Sequence, residues 1–199
     1  MSRHDAADIF PTDGAALSAD PTRWADFTAS ATRLLGELVA GGAALGWLEP
    51  PARAEVSALM AQVAAAESAG DGALRAAFVD GRLVGLGYWL RRTRPTHRPH
   101  ADLDKLAVSG AAQGRGIGRA LTEALIADAR RARVEVLTLD ARGDNTDALR
   151  LYRATGFVEY GRLPDFVAVG ERRYDTVLCM LDLRERPAAG PRETPADAE

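Results

Sequence analysis

The chain is poor in the residues that anchor several large protein classes. Its 199 residues contain one cysteine, Cys179, which excludes an internal disulfide and a cysteine-rich metal site, and no metal is expected. Aromatic residues make up only 6%, and Lys105 is the sole lysine. The other basic residues are arginine, as a GC-rich genome would supply. No run approaches the roughly 18 consecutive apolar residues that cross a bilayer, so no membrane partner is expected. The opening MSRHDAADIF places acids where a secretory leader needs an apolar core, which points to a cytoplasmic location. A formal net charge of −3 leaves no basic excess for a broad nucleic-acid surface, and no nucleic-acid partner is expected.

What is present fits a folded domain. Hydrophobic residues reach 47% and charged residues 27%, the balance of a globular protein, and the length suits one domain with additional ends. Residues 1–22 hold Pro11, Gly14 and Pro21 without a sustained apolar period and read as an N-terminal extension. Residues 185–199, ERPAAGPRETPADAE, cannot bury enough apolar surface to offset their conformational entropy and read as a disordered tail. The domain is therefore expected over residues 23–184.

Within it, Trp24, Phe27, Ala31, Leu34, Leu35 and Leu38 recur at helical spacing before Gly41-Gly42. Pro50-Pro51 opens a second helix with Val56, Leu59, Met60 and Val63 on one face. Strand-forming runs at 74–79 and 83–90 flank Asp80-Gly81, a strong hairpin signal. A basic loop at 91–100 leads to a strand over 102–108. A helix over 116–131, a strand over 134–140 and a short helix over 145–155 follow, then strands over 157–163 and 173–183. The order ααββ-β-α-β-α-ββ predicts a mixed α/β layer around one central sheet.

The informative stretch runs from Leu106 to Ala120, LAVSGAAQGRGIGRA. A strand enters a loop with glycines at 114, 116 and 118 and leaves as an amphipathic helix. Glycine lets a ligand approach the backbone, and the free N–H groups of a helix start favour an anion. Arg115 and Arg119 add positive charge, so a phosphate or diphosphate is the natural ligand. A P-loop would need Gly-Lys-Ser/Thr where Gly118-Arg119-Ala120 stands. A dinucleotide fingerprint would need GxGxxG rather than this GxGxG. The plain alternative is a flexible turn that binds nothing.

Gln113-x-x-Gly116-x-Gly118 after Leu106-x-Val108 resembles the acetyl-coenzyme A loop of the GNAT N-acetyltransferases. Asn145-x-x-Ala148-x-x-x-Tyr152-x-x-x-Gly156-Phe157 resembles that family's next helix and strand start, at the expected distance. The likeness covers about Trp24 to Leu183. The stretches GGAALGW, Ala101–Leu106 and Gly161–Asp165 look most like the tabtoxin-resistance type of small-molecule acetyltransferase. One departure is Gly110, where the family commonly has proline.

The resemblance implies an α/β acyl-CoA N-acyltransferase fold. Its central, mostly antiparallel sheet would splay between strands 4 and 5, with helices flanking it. It implies acetyl-CoA as co-substrate, a small-molecule amine as acceptor, direct attack in a ternary complex and, by analogy, a homodimer. The cofactor would lie on Leu106, Ala107, Val108, Gln113, Gly114, Arg115, Gly116, Ile117, Gly118, Arg119 and Ala120, with Asn145 near the pantetheine. A backbone N–H near Leu106 or Val108 would polarise the thioester carbonyl. Tyr152 would protonate the leaving thiolate; its plain alternative is a packed aromatic. Asn145 could equally be a helix cap. A protein N-terminus or lysine as acceptor, or an acyl-CoA sensor without catalysis, remain the other readings.

An attacking ammonium must lose a proton, so a base should lie nearby. Asp102 and Asp104 stand two apart on one strand and share a face, where like charges raise a pKa. Asp102 is the first expectation for the base and Asp140, at the end of the next strand, the second; either could instead hold the ammonium or be solvated strand-end charge. Cys179 reads as packing. The arginine-rich loop carrying His97 and His100 reads as a solvated connection, with contact to an acidic substrate as the alternative; two histidines alone make no metal site.

Overall fold

The computed structural model describes residues 12–184. The expected tail at 185–199 and the first eleven residues of the expected extension lie outside them. Helix α1 (Gly14–Ser18) is followed by α2 (Pro21–Ala40), whose entry Asp20 caps by accepting from Thr22 N and Arg23 N. Phe27, Ala31, Leu34, Leu35 and Val39 recur at three- and four-residue spacing and face the core. Helix α3 (Arg53–Ser68) packs beside α2. Residues 12–22 join this body: strand β1 (Thr12–Asp13) pairs with β2 (Gly72–Val79), and Leu17 is buried.

Strand β2 turns into β3 (Arg82–Arg91) through Asp80-Gly81 alone. Both turn residues have positive φ, 49° and 74°, as the type I′ hairpin turn requires. Strand β4 (His100–Val108), helix α4 (Ile117–Arg131), strand β5 (Val136–Arg142), helix α5 (Thr146–Ala154) and the pair β6 (Val158–Val169) and β7 (Arg172–Asp182) complete the domain. The spacing predicts β5 two residues earlier. There, however, Arg133 is left-handed (φ 55°) and Val134 N donates to Ala129 O, so this stretch still closes the helix. Strand β6 runs six residues beyond the expected end and carries two register shifts, the second spanning Pro164.

The seven strands lie in the order β1-β2-β3-β4-β5-β7-β6, antiparallel except for β4 with β5. One core fills the face under α2 and α3; another lies under α4 and α5. A largely buried ion pair joins β2 to α4: Arg75 grips Asp128 through two bonds of 2.6 and 2.5 Å. Arg131 adds a third bond to that carboxylate. No helix among the described residues is long and apolar enough to cross a membrane.

The parallel pair is short. Only His100, Ala101 and Asp102 register with Val136, Leu137 and Thr138, although β4 continues to Val108 and β5 to Arg142. A bulge helps to turn β4 aside. Tyr88 lies opposite Asp104 and Leu86 opposite Ala107, so two residues of β4, Lys105 (φ 48°) and Leu106, face Gly87 alone. The sheet therefore forks between strands 4 and 5.

Candidate active site

The fork opens into a cleft of about 1200 Å³. One end lies on the loop before α4. Gly114 and Gly116 hold φ of 73° and 81°, which a residue with a Cβ adopts only with strain. Among the described residues no side chain caps α4, so the leading N–H groups of the helix have no side-chain partner there, an arrangement that suits an anion. The third glycine has another cause: a Cβ on Gly118 would stand 3.2 Å from Leu151 Cδ2, so glycine there lets α4 approach α5.

Most residues expected to hold a cofactor meet in this cleft. Leu106, Ala107, Val108, Gln113, Gly114, Gly116, Ile117, Gly118, Arg119 and Asn145 line it; Arg115 and Ala120 do not. The Gln113 side chain donates to Val108 O at 3.4 Å, joining loop and strand. Arg119 pairs with Glu123 at 2.8 Å, both exposed. Asn145 Oδ1 accepts from Ala148 N at 3.2 Å, so it caps α5 while facing the cleft. Both readings of Asn145 hold together.

The expected acid–base residues are distributed unequally. Alternation along the strands buries Leu103, Leu137 and Leu139 on one face and leaves Asp102, Asp104, Thr138 and Asp140 on the other. Asp102 is already engaged. It accepts from Arg92 Nε at 3.1 Å and Nη2 at 2.8 Å and from the Thr138 hydroxyl, and it does not line the cleft. Asp140 lines the cleft without a hydrogen bond to any described residue. Desolvation lifts its carboxyl above the usual range, helped by the charges of Asp104 and Asp102 and opposed by Lys105. An unpaired carboxylate with a raised pKa is suited to accept a proton near neutral pH.

Tyr152 is 7% exposed and packs edge-on against Phe157, with ring centroids 5.8 Å apart. Its hydroxyl has no partner among the described residues and reaches the cleft. Burial raises its pKa, as do the charges of Cys179, Asp140 and Asp104, so the phenol keeps its proton until a stronger base appears. Cys179 is buried in the core beneath α5, and burial raises its thiol pKa.

Three groups escaped the sequence reading. Tyr88, facing Asp104 across the bulge, is 2% exposed and held protonated by burial and by that carboxylate. Lys105 sets its Nζ 4.7 Å from the centre of the Trp47 ring and 3.5 Å from Asp104, bringing the loop between α2 and α3 to the fork. Arg142 bonds Asp144 at 2.6 Å and stacks on Tyr174, walling the far side. The pairing of β3 with β4 and of β5 with β7, and the α2–α3 connection, bring these groups to the site, and local spacing encodes none of the three.

Comparison with known proteins agrees with this geometry. A family model described as acetyltransferase (GNAT) family matches residues 32–157, more than half of the chain. An acetyltransferase of Salmonella typhimurium, yncA, solved with its cofactor acetyl-CoA, is 22% identical over 92% of this chain and 97% of its own, with a TM-score of 0.72. A phosphinothricin acetyltransferase of Sinorhizobium meliloti in complex with acetyl-CoA is 24% identical over 85% and 90%, also at 0.72. At those identities the likeness speaks for the fold. The mycothiol acetyltransferase of Sanguibacter keddieii is 42% identical over 81 residues, 39% of this chain and 25% of that protein. The chain thus spans about a quarter of the length of that curated relative. A forked α/β sheet, a glycine cradle ahead of its fourth helix and a match across the middle of the chain converge on one conclusion: the chain belongs to the acetyltransferase (GNAT) family.

Proposed function

We propose that the chain is an acetyl-CoA-dependent N-acetyltransferase acting in the cytoplasm on a primary amine of a small molecule, through a domain spanning residues 12–184. The observation that carries this reading is one continuous cleft. It joins the uncapped start of α4 to Asp140 and the Tyr152 hydroxyl.

Acetyl-CoA suits this cleft. Gly114 and Gly116 meet nothing within 4 Å where a Cβ would stand, leaving space against the backbone for a diphosphate. The unpaired edge of β4 at Leu106–Val108 offers N–H groups to the pantetheine and the thioester oxygen; one such donor is worth roughly 3 kcal/mol in the transition state. Asp140 takes a proton from the acceptor ammonium, directly or through a water. The freed amine forms a C–N bond to the acetyl carbon while the C–S bond breaks. Tyr152 donates its proton to the departing sulfur, and the second proton shed by the acylated nitrogen returns to the phenolate through water. Asp102 then acts as a positioning residue that holds Arg92 across the base of the fork. The likeness of the Gly41–Trp47 stretch to tabtoxin-resistance acetyltransferases supports a small acceptor. A homodimer accompanies this reading by family analogy and is checked by sedimentation.

Titration calorimetry with acetyl-CoA tests the reading. Binding at micromolar to millimolar cofactor is expected, with thiol release when an accepted amine is added. No heat at millimolar acetyl-CoA overturns it.

A further inference from the structure

A second cavity, of about 580 Å³, lies on the other side of Asp104 and is large enough for a small ligand. Asp104 lines both spaces, so it stands where they meet. The second cavity is rich in arginine: Arg91, Arg92 and Arg94 line it with His97, Asp102 and Asp104. Two of the three arginines are committed. Arg91 bonds Asp71, Arg98 O and Ala132 O, and Arg92 neutralises Asp102. Arg94 is exposed; its carbonyl accepts from His97 N at 2.8 Å, while its guanidinium forms no hydrogen bond or ion pair with any described residue. The cavity therefore joins a guanidinium without a side-chain partner among the described residues, Arg94, to the carboxylate it shares with the first cleft, Asp104, and Tyr88 lines it too.

We infer that the acceptor is a zwitterion: its ammonium meets Asp104 at the fork, and an oxyanion a short chain away is held by Arg94. This rests on the acetyltransferase reading above and adds the substrate class. Opposite charges at the two ends fix the direction of entry, so the amine, and not the anionic end, reaches Asp140 and the acetyl group. A planar guanidinium takes a carboxylate or a phosphoryl group through two parallel bonds, so both belong to this class. Arg92 lines the same cavity as a second positive charge, paired there with Asp102.

The test is a paired acceptor panel read by thiol release with saturating acetyl-CoA. The proteinogenic α-amino acids are compared with their carboxamides, O-phosphoethanolamine with ethanolamine, and glucosamine and spermidine serve as acceptors without an anion. At least one anionic acceptor is expected to exceed its neutral partner tenfold or more in kcat/KM. The amino-acid and phosphoethanolamine arms tell carboxylate from phosphoryl. In Arg94→Gln that preference is expected to collapse through a higher KM for the anionic acceptor. Its kcat, the neutral partner's kcat/KM, the acetyl-CoA Kd and the melting temperature should stay put. Equal use of both partners, an equal loss on both in Arg94→Gln, or no anionic acceptor used while calorimetry shows acetyl-CoA bound, each overturns the inference. Failure of acetyl-CoA to bind overturns the acetyltransferase reading instead, so the two failures are separable.

Discussion

The two ends of the β4–β5 pair contrast within a few residues. At the near end the strands are bonded and Asp102 is locked between Arg92 and Thr138. At the far end the strands part: Asp104 accepts from Lys105 N at 2.9 Å and meets Lys105 Nζ at 3.5 Å and the Tyr88 side chain, and Asp140 has no bonded partner among the described residues. Asp102 and Asp104 belong to one strand and one face, yet their surroundings differ in kind. Pairing saturates donors and charges and so supplies order. Its absence leaves backbone N–H groups and carboxylates for a substrate to satisfy, which is where chemistry can occur.

Substitutions at the two ends can break or sharpen this contrast. The largest effect is expected at Asp140. Asp140→Asn should lower kcat by about 10²- to 10⁴-fold, the usual worth of a positioned base, in a steady-state thiol-release assay. Because the folded-state pKa of Asp140 is raised, its carboxylate form is reached only as pH climbs past the ordinary carboxylate range. Wild-type kcat/KM should therefore rise with pH across that window, and the variant should lose this limb. Stability moves the opposite way. An acid with a raised folded-state pKa favours folding below its unfolded pKa and loses that contribution as pH rises through the folded value. Asp140→Asn should consequently melt no lower than wild type at neutral pH, and a lower melting point would mean that the carboxylate is structural.

Next comes Tyr152→Phe, expected to cost about 10² in kcat with acetyl-CoA affinity retained by calorimetry; an unchanged kcat would reduce Tyr152 to packing against Phe157. A smaller loss is expected in the cradle. Gly116→Ala forces a Cβ into a left-handed conformation at a cost of roughly 1–2 kcal/mol, so acetyl-CoA should bind about tenfold more weakly. The smallest effect belongs to the near end. Asp102→Asn removes a half-exposed ion pair worth about 0–1 kcal/mol, and kcat should fall less than about tenfold. A loss at Asp102 as large as that at Asp140 would erase the contrast between the two ends.

The cradle was legible because its signal is local: glycines at 114 and 116 meet backbone angles that other residues reach only with strain. The Asp80-Gly81 hairpin was legible for the same reason. Strand alternation also put Asp102 and Asp104 on a shared face, while the face of Asp140 relative to them came from the β4–β5 register. The ranking of those acids was not legible. It depends on Arg92, ten residues upstream of Asp102, and on Thr138 from the neighbouring strand, both delivered by the fold. The packing of residues 12–22 was equally hidden, since Leu17 is one isolated apolar residue until α2, α3 and β2 surround it.

By itself the sequence determined the order of elements from α2 onward, the glycine turn before α4 and the supply of carboxylates, because each follows from backbone preference or short-range periodicity. Only the tertiary structure decided where β4 and β5 separate, which carboxylate stays unpaired and that Asp104 links two cavities. Those outcomes depend on charges and walls contributed by distant segments, and a carboxyl group's protonation answers to its surroundings more than to its neighbours in the chain.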